Sequence, residues 1–228
     1  MRATLLTART LRSSIRWNDA IGTSAMLAGV SAALLVAAIA GYAIGSIPVA
    51  AFVARRHGVD DLRTVGDHNP GFWNAMQLIG WRAALPIFVG DTAAGAVSAA
   101  LGLAASDRWF APYVCGGAAM IGHAFPVFAG RRGGRSVLAF VGTATVVSPI
   151  AASICVGALL VVWAVGRRFD VAARLAIAAF PAVQFVIDGA RPTAATGALM
   201  TFVGLRFAWA ARAEARGVSG SGSADRAR

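Results

Sequence analysis

Apolar residues in this chain are grouped into long blocks separated by short polar punctuation, rather than spaced along one face as in a soluble amphipathic helix. No residue from Ile21 to Ala54 carries a charge, a stretch longer than the roughly 20 residues that one bilayer crossing needs. A first helix is placed over 29–54. Gly45-Ser46-Ile47-Pro48 breaks or kinks it, because proline lacks an amide donor and crowds the preceding turn. Residues 55–82 read as a polar connection carrying Arg55, Arg56, His57, Asp60, Asp61, Arg63, Asp67, His68 and Arg82. A second helix follows over 83–105 with Asp91 inside it, then the Asp107-Arg108 turn, then a third helix over 109–128 with His123 inside it. The uncharged stretch Ser136–Gly166 exceeds one comfortable span, and Ser148-Pro149 divides it into a fourth and a fifth helix; one tilted span plus a buried loop is the alternative. Arg167, Arg168, Asp170 and Arg174 make the next connection, a sixth helix covers 172–187, Asp188–Pro192 turns the chain, and a seventh covers 193–212. The pattern predicts an all-α, polytopic integral membrane protein with about seven transmembrane helices. A polar or amphipathic leader occupies 1–24, the membrane domain 25–212 and a disordered tail 213–228, where Gly217–Ser223 is almost all glycine and serine.

Composition sharpens that picture. Of 228 residues, 57% are hydrophobic and 14% charged, with a mean hydropathy of +0.66; a soluble domain would carry about a quarter charged residues. The formal net charge is +11, with no lysine, so every cation is an arginine. These arginines sit between apolar blocks, where orientation by cytoplasmic charge and contact with anionic headgroups account for them better than nucleic acid does. The 55–82, 131–135 and 167–174 connections and the tail are basic, while 107–108, 148–149 and 188–191 are short and nearly balanced. Seven spans, with the basic loops and C-terminus in the cytoplasm and the N-terminus outside, fit this alternation; the leader arginines Arg9, Arg12 and Arg16 run against it. Met26 directly precedes the first apolar block and is a candidate start. Cys115 and Cys155 lie in apolar blocks without a CxxC or Cys/His pattern, which predicts packing roles.

Chemistry concentrates between the blocks. Gly130-Arg131-Arg132-Gly133-Gly134-Arg135-Ser136 follows His123 and Pro126 and precedes the fourth helix, for which Ser136 is a candidate N-cap. Glycines let a backbone approach an anion, a helix N-terminus adds free amides, and Arg131, Arg132 and Arg135 add charge; the competing reading is a topology signal with a flexible turn. Gly66-Asp67-His68-Asn69-Pro70-Gly71-Phe72-Trp73-Asn74 is turn chemistry at headgroup level, with Asn69 and Asn74 able to hydrogen-bond a polyol or phosphate. His123 reads equally as a general base or as a packing histidine, and Asp91 as a partner of an arginine across the bundle or as a substrate contact. Three scattered histidines and one glutamate make no metal-ligand set. There is no P-loop and no GxSxG. A His-x4-Asp is absent as well, since Leu62, Trp73 and Phe128 complete that spacing from His57, His68 and His123.

Taken in order, these pieces resemble the bacterial acyl-phosphate:glycerol-3-phosphate acyltransferase family. The resemblance is carried by Gly45-Ser46-Ile47-Pro48, by Gly66, Asn69, Gly71 and Asn74, and by Asp91 and Gly95. It continues through Gly122-His123-x-Phe125-Pro126-Val127-Phe128, Gly133-Gly134-Arg135 and Ser148-Pro149, covering about 40–150 well. It implies a seven-span membrane enzyme of phospholipid synthesis, without cofactor or metal. Its substrates would be acyl phosphate and glycerol 3-phosphate among membrane lipids, and its products lysophosphatidate and phosphate. It assigns catalysis to His123, Asn74 and Asp91, and substrate binding to Ser46, Gly66, Asn69, Gly71, Arg131, Arg132, Gly133, Gly134, Arg135, Ser136 and Arg206.

The chain departs from the family pattern at several of these places. Asp67 stands where the pattern has serine, Phe72 and Trp73 where it has alanine and threonine, and Ala94 where it has lysine. Arg132 and Arg135 stand for lysines, Ser136 for glycine, Val171–Arg174 for a serine-rich motif and Phe207 for histidine. Three functions therefore stay open: an acyltransferase, a paralogue that binds a lipid or phosphorylated ligand or supports a partner, and a small transporter with only Asp91 to line a path.

Overall fold

In the computed structural model, residues 31–224 are described, with side chains through Ala213. The leader and its arginines lie outside the described residues. Ser31 caps the first helix by accepting a hydrogen bond from the Leu34 amide at 3.1 Å. Helix α1 (Ala32–Gly45) stops at Ser46, and α2 (Val49–Arg56) starts after Pro48, so the expected break is there and the pair spans Ala32–Arg56. The connection read as plain polar loop contains a short helix, α3 (Phe72–Ile79). Its apolar face escaped the hydropathy pattern because eight residues are too few to register as a block. Phe72 packs with Ala75 and Met76 against the following helix, α4 (Trp81–Ala105), and sets its ring 5.3 Å from Phe88, edge to face.

Helix α4 (Trp81–Ala105) carries Asp91, and α5 (Ala111–Ala124) carries His123. The third helix was expected to reach residue 128 and ends at Ala124, because the ring of Pro126 drives Phe125 out of helical geometry, to φ −131° and ψ 61°. A 3-10 turn over Val127–Ala129 leads into the arginine loop. Helix α6 (Val137–Val147) and α7 (Pro149–Gly166) are separated at Ser148, where the pattern divided the stretch, and of the two α7 is long enough by itself to cross a bilayer. Helix α8 (Phe169–Asp188) begins earlier than expected and shortens the preceding basic connection to Arg167-Arg168. Helix α9 (Ala190–Ala224) takes Pro192 into its first turn, where no amide donor is needed, and continues through the Gly217–Ser223 run expected to be disordered.

Five of these segments are long and apolar enough to cross a bilayer. Helices α5, with 14 residues, and α6, with 11, rise about 21 and about 16 Å, less than the roughly 30 Å hydrocarbon core. Helices α1, α4, α5 and α6 form an inner bundle, and α7–α9 lie outside it. The buried positions are mainly Ala, Gly, Ser and Cys, so backbones rather than bulky side chains meet, as in membrane helix packing generally. A Cβ at Gly45 would run into the Ala119 carbonyl. Larger anchors are few: Leu34 with Phe110 between α1 and α5, and Met120 with Phe140 and Phe180 between α5, α6 and α8. Cys115 and Cys155 are buried free thiols, the packing role their context predicted.

One end of the bundle is tied by Ser148 Oγ to Asp188 and by Gln184 Nε2 donating to the Tyr113 hydroxyl at 3.2 Å. The chain leaves that end along α7 and returns along α8, so Arg167-Arg168 lies at the opposite end, with the α5–α6 loop. That opposite end holds the site.

Candidate active site

A cleft of about 550 Å³ opens where the α1–α2 break, the middle of α4 and the end of α5 converge. Asp91, 4% exposed, faces it from α4, and His123 faces it from the last turn of α5. The His123 Nδ1 lies 3.7 Å from Asp91 Oδ1, inside ion-pair range and longer than a hydrogen bond. Asp91 therefore pairs with a histidine and not with an arginine. Arg132, Gly133 and Gly134 complete that wall, and exposed Phe52 and Phe128 stand at the mouth.

The glycine-arginine loop is closed by its own backbone. Arg131 and Gly133 amides donate to the carbonyls of Pro126 at 2.9 Å and Ala124 at 3.1 Å, and the Gly134 amide donates to His123 O at 3.2 Å. These amides were expected to face an anion; they are committed, so charge at this wall comes from guanidinium groups. The need for glycine is steric. A Cβ at Gly134 would sit 2.7 Å from His123 Nε2, so the loop lies directly against the imidazole. Ser136 occupies the N-cap position of α6 without capping it: its φ is +61°, where extended backbone is required of a cap, and its hydroxyl donates to Met120 O at 2.7 Å. The family's glycine at this position is explained by that positive φ.

Arg206 was assigned to substrate. Instead it reaches from α9 beneath the loop, donating from Nη2 to Gly133 O at 3.1 Å and Gly134 O at 3.2 Å, and from Nε to Gly134 O at 3.3 Å. Its guanidinium carbon lies 4.8 Å from the Phe125 ring and 5.6 Å from the Trp209 ring, which pack against each other at 6.2 Å. The Tyr42 hydroxyl donates to Phe125 O at 2.9 Å and fixes the other flank. Ser46 is fully buried, its hydroxyl donating to Tyr42 O at 2.8 Å. It holds the end of α1, beside the cleft-lining Gly45 and Ile47.

Asn74, expected to be catalytic, is 1% exposed and folds the first loop from within. Its Nδ2 donates to Leu62 O and Val65 O, both at 2.9 Å, and its Oδ1 accepts from the Asp67 amide at 3.2 Å. Gly66, at φ +63°, lies against that amide, and a Cβ there would overlap Asn74 Oδ1. Asn69 donates its own amide to Asp67 Oδ1 at 3.1 Å and accepts from the Gly71 amide at 2.8 Å. Gly66, Asn69, Gly71 and Asn74 thus shape a loop whose Pro70, not its amides, reaches the cleft.

Two cleft arginines escaped the sequence reading, Arg55 and Arg63. Their only signal was position just after the Gly-Ser-Ile-Pro break, which looked like topology charge. Arg63 Nε donates to both oxygens of Asp61, at 2.8 and 3.0 Å, and this hydrogen bond holds the Asp61 carboxyl below the ordinary carboxylate range. Arg63 Nη1 also donates to Ala129 O at 3.5 Å, joining the two loops. Asp60 and Asp61 line the cleft too, so Arg55, Arg63 and Arg132 are balanced by Asp60, Asp61 and Asp91.

Of the anticipated residues, the cleft gathers His123, Asp91, Arg132, Gly133 and Gly134. Arg131 is exposed beside it, and Arg135 turns away: its Nη1 donates to Asp67 Oδ2 at 3.2 Å and its guanidinium lies 4.8 Å from the Phe207 ring. Asp67 and Phe207 are two of the departures noted in the sequence, and both meet on Arg135.

The arrangement has known counterparts. The family model for glycerol-3-phosphate acyltransferase matches residues 35–216. A glycerol-3-phosphate acyltransferase of Synechococcus sp. (strain JA-3-3Ab) is 39% identical over 90 residues, 40% of this chain and 44% of that one. The match thus spans less than half of that relative's length. The Rhodospirillum rubrum glycerol-3-phosphate acyltransferase is 32% identical over 159 residues, 67% of this chain and 74% of that one. The crystal structure of PlsY (YgiH), an integral membrane glycerol 3-phosphate acyltransferase in its glycerol 3-phosphate form, superposes with a TM-score of 0.69 at 26% identity. That match covers 81% of this chain and 92% of the other. The lysophosphatidic acid form of the same protein gives 0.65 at 25% identity. The chain belongs to the glycerol-3-phosphate acyltransferase family.

Proposed function

We propose that this protein transfers a fatty acyl group from acyl phosphate to glycerol 3-phosphate, giving lysophosphatidate and inorganic phosphate. The observation that carries the reading is the convergence of His123, Asp91 and Arg132 on one cleft whose mouth is apolar. The hydroxyl oxygen of the acceptor forms the new ester bond to the acyl carbon, the bond from that carbon to the phosphate oxygen breaks, and phosphate leaves with the electron pair. His123 is placed to take the hydroxyl proton, with Asp91 holding the ring and its developing charge. Arg132, with Arg55 at the facing wall, stabilises negative charge on the donor and leaving phosphate. Most of the rate then comes from holding two anionic substrates in register. Phe52 and Phe128 give the acyl chain an apolar path from the bilayer.

All seven apolar helices are taken to cross a bacterial cytoplasmic membrane, α5 and α6 with their adjoining loops, with the cleft and the basic connections inside. A paralogue that binds without turnover is the second reading, favoured by the sequestration of Arg135. The test is phosphate release from palmitoyl phosphate by the purified protein, with and without glycerol 3-phosphate. Acceptor-dependent release with lysophosphatidate formation is expected. Its absence where another family member works in the same lipid removes the enzyme reading.

A further inference from the structure

Arg135 is the cation of the glycine-arginine loop nearest to the packed core, its side chain 19% exposed, yet it is not part of the cleft wall formed by Arg132, Gly133 and Gly134. Asp67 and Phe207 are among the residues that hold it aside. Asp67, from the first loop, places a carboxylate oxygen 3.2 Å from Nη1, and Phe207, from α9, puts its ring 4.8 Å from the guanidinium carbon. The carboxylate is itself fixed, because its other oxygen accepts the Asn69 amide at 3.1 Å and the Asp67 amide is held by Asn74 at 3.2 Å. One anionic carboxylate oxygen accepting from a guanidinium N–H is the same charge-assisted bond that one phosphate oxygen would make there. Asp67 therefore occupies the position that an incoming oxyanion would take on Arg135.

We propose that Asp67 is a specificity-determining residue acting as an internal competing anion: it keeps Arg135 from the cleft and weakens the site for phosphate monoesters such as glycerol 3-phosphate. This rests on the acyl-transfer reading for the identity of the ligand, though not for the competition itself. An anion reaching Arg135 must displace a carboxylate that is pinned from the other side. The same charge also repels a dianion bound anywhere along the loop. Arg132 is unaffected, since no carboxylate pairs with it among the described residues.

The substitution Asp67→Asn removes the charge and keeps an oxygen for the Asn69 amide; Asp67→Ser is the smaller second variant. Binding of glycerol 3-phosphate and, separately, of inorganic phosphate is measured by titration calorimetry on the full chain in lipid nanodiscs. One unit charge removed within a few ångströms of a partly exposed site predicts about fivefold to tenfold tighter binding of both anions. Unchanged or weaker binding in both variants makes Asp67 a tie between loops and overturns the proposal, as does the absence of binding in every form. Tighter binding without acyl transfer by any form supports the competition and removes the acyl-transfer reading instead. Thermal unfolding of the same samples identifies a variant that has simply lost its fold, and the other variant then decides.

Discussion

Truncating Arg206 separates two meanings of a buried arginine at a phosphate-handling site. If the side chain binds substrate, Arg206→Ala raises the KM for glycerol 3-phosphate and leaves the fold alone. The structure predicts the reverse emphasis. Arg206 gives three contacts of 3.1–3.3 Å to the carbonyls of Gly133 and Gly134, from a guanidinium packed against two aromatic rings. A hydrogen bond to a charged donor contributes about 1.5–3 kcal/mol, and a cation over a ring about 0.5–1 kcal/mol at a partly exposed site. The three bonds share two carbonyls, so their contributions overlap. A loss of about 3 kcal/mol is expected, which corresponds to roughly 6–12 °C in apparent melting temperature for a chain of this size. Arg206→Lys restores the charge but not the fork, and recovers less than half of the loss. The assay is thermal unfolding by intrinsic fluorescence in one detergent at one scan rate, because unfolding of such proteins is generally irreversible, followed by KM determination well below the transition. A melting temperature within about 1 °C of the parent, together with a KM raised more than tenfold, refutes the latch and returns Arg206 to substrate.

Three further outcomes follow from the same geometry. Asn74→Ala leaves the buried carbonyl of Leu62 and the partly buried carbonyl of Val65 without their donor and costs about 2–4 kcal/mol in melting experiments, while Asn74→Asp, which sets a carboxylate against those carbonyls, costs more. Gly134→Ala pushes a methyl group to 2.7 Å from His123 Nε2, so kcat falls at least tenfold with a smaller change in melting temperature; full activity contradicts the placement of the imidazole against the loop. The Asp61 carboxyl lies below its ordinary value of 3.8, so the Arg63 pair stabilises the fold at pH above that value and loses its effect as pH falls through the lowered folded value. Asp61→Asn should lower the melting temperature slightly at neutral pH and converge with the parent as pH falls through the lowered folded value, and a difference that widens in acid contradicts the assignment.

Much of the architecture was legible before any coordinates. A bilayer imposes one requirement on every residue it contacts, so block length and proline punctuation locate α1, α4, α7 and α8 to within a few residues. Gly45–Pro48 and Ser148-Pro149 break the chain where the pattern placed them. The motif around His123 marked the right neighbourhood for the same reason: its Pro126 ends a helix by local sterics. The roles of individual polar residues were a different matter. Asn74, Ser136 and Arg206 carry the chemistry expected of ligand-binding groups, and the backbone takes all three. Their partners lie 7 to 82 positions away in sequence, and a side chain's hydrogen bond goes to whichever backbone group the packing brings near. Arg55 and Arg63 were passed over because topology charge and cleft charge have the same composition.

The turn after His123 shows where the division falls. Sequence alone determined that a glycine-arginine segment would interrupt two apolar helices, because glycine, proline and charge do not belong inside a hydrocarbon core. Only the tertiary structure decided that its amides are spent on the end of α5, that Arg132 faces the cleft, and that Arg135 is held away by Asp67 and Phe207. Those choices depend on distances between loops far apart in the chain, and composition carries no record of them.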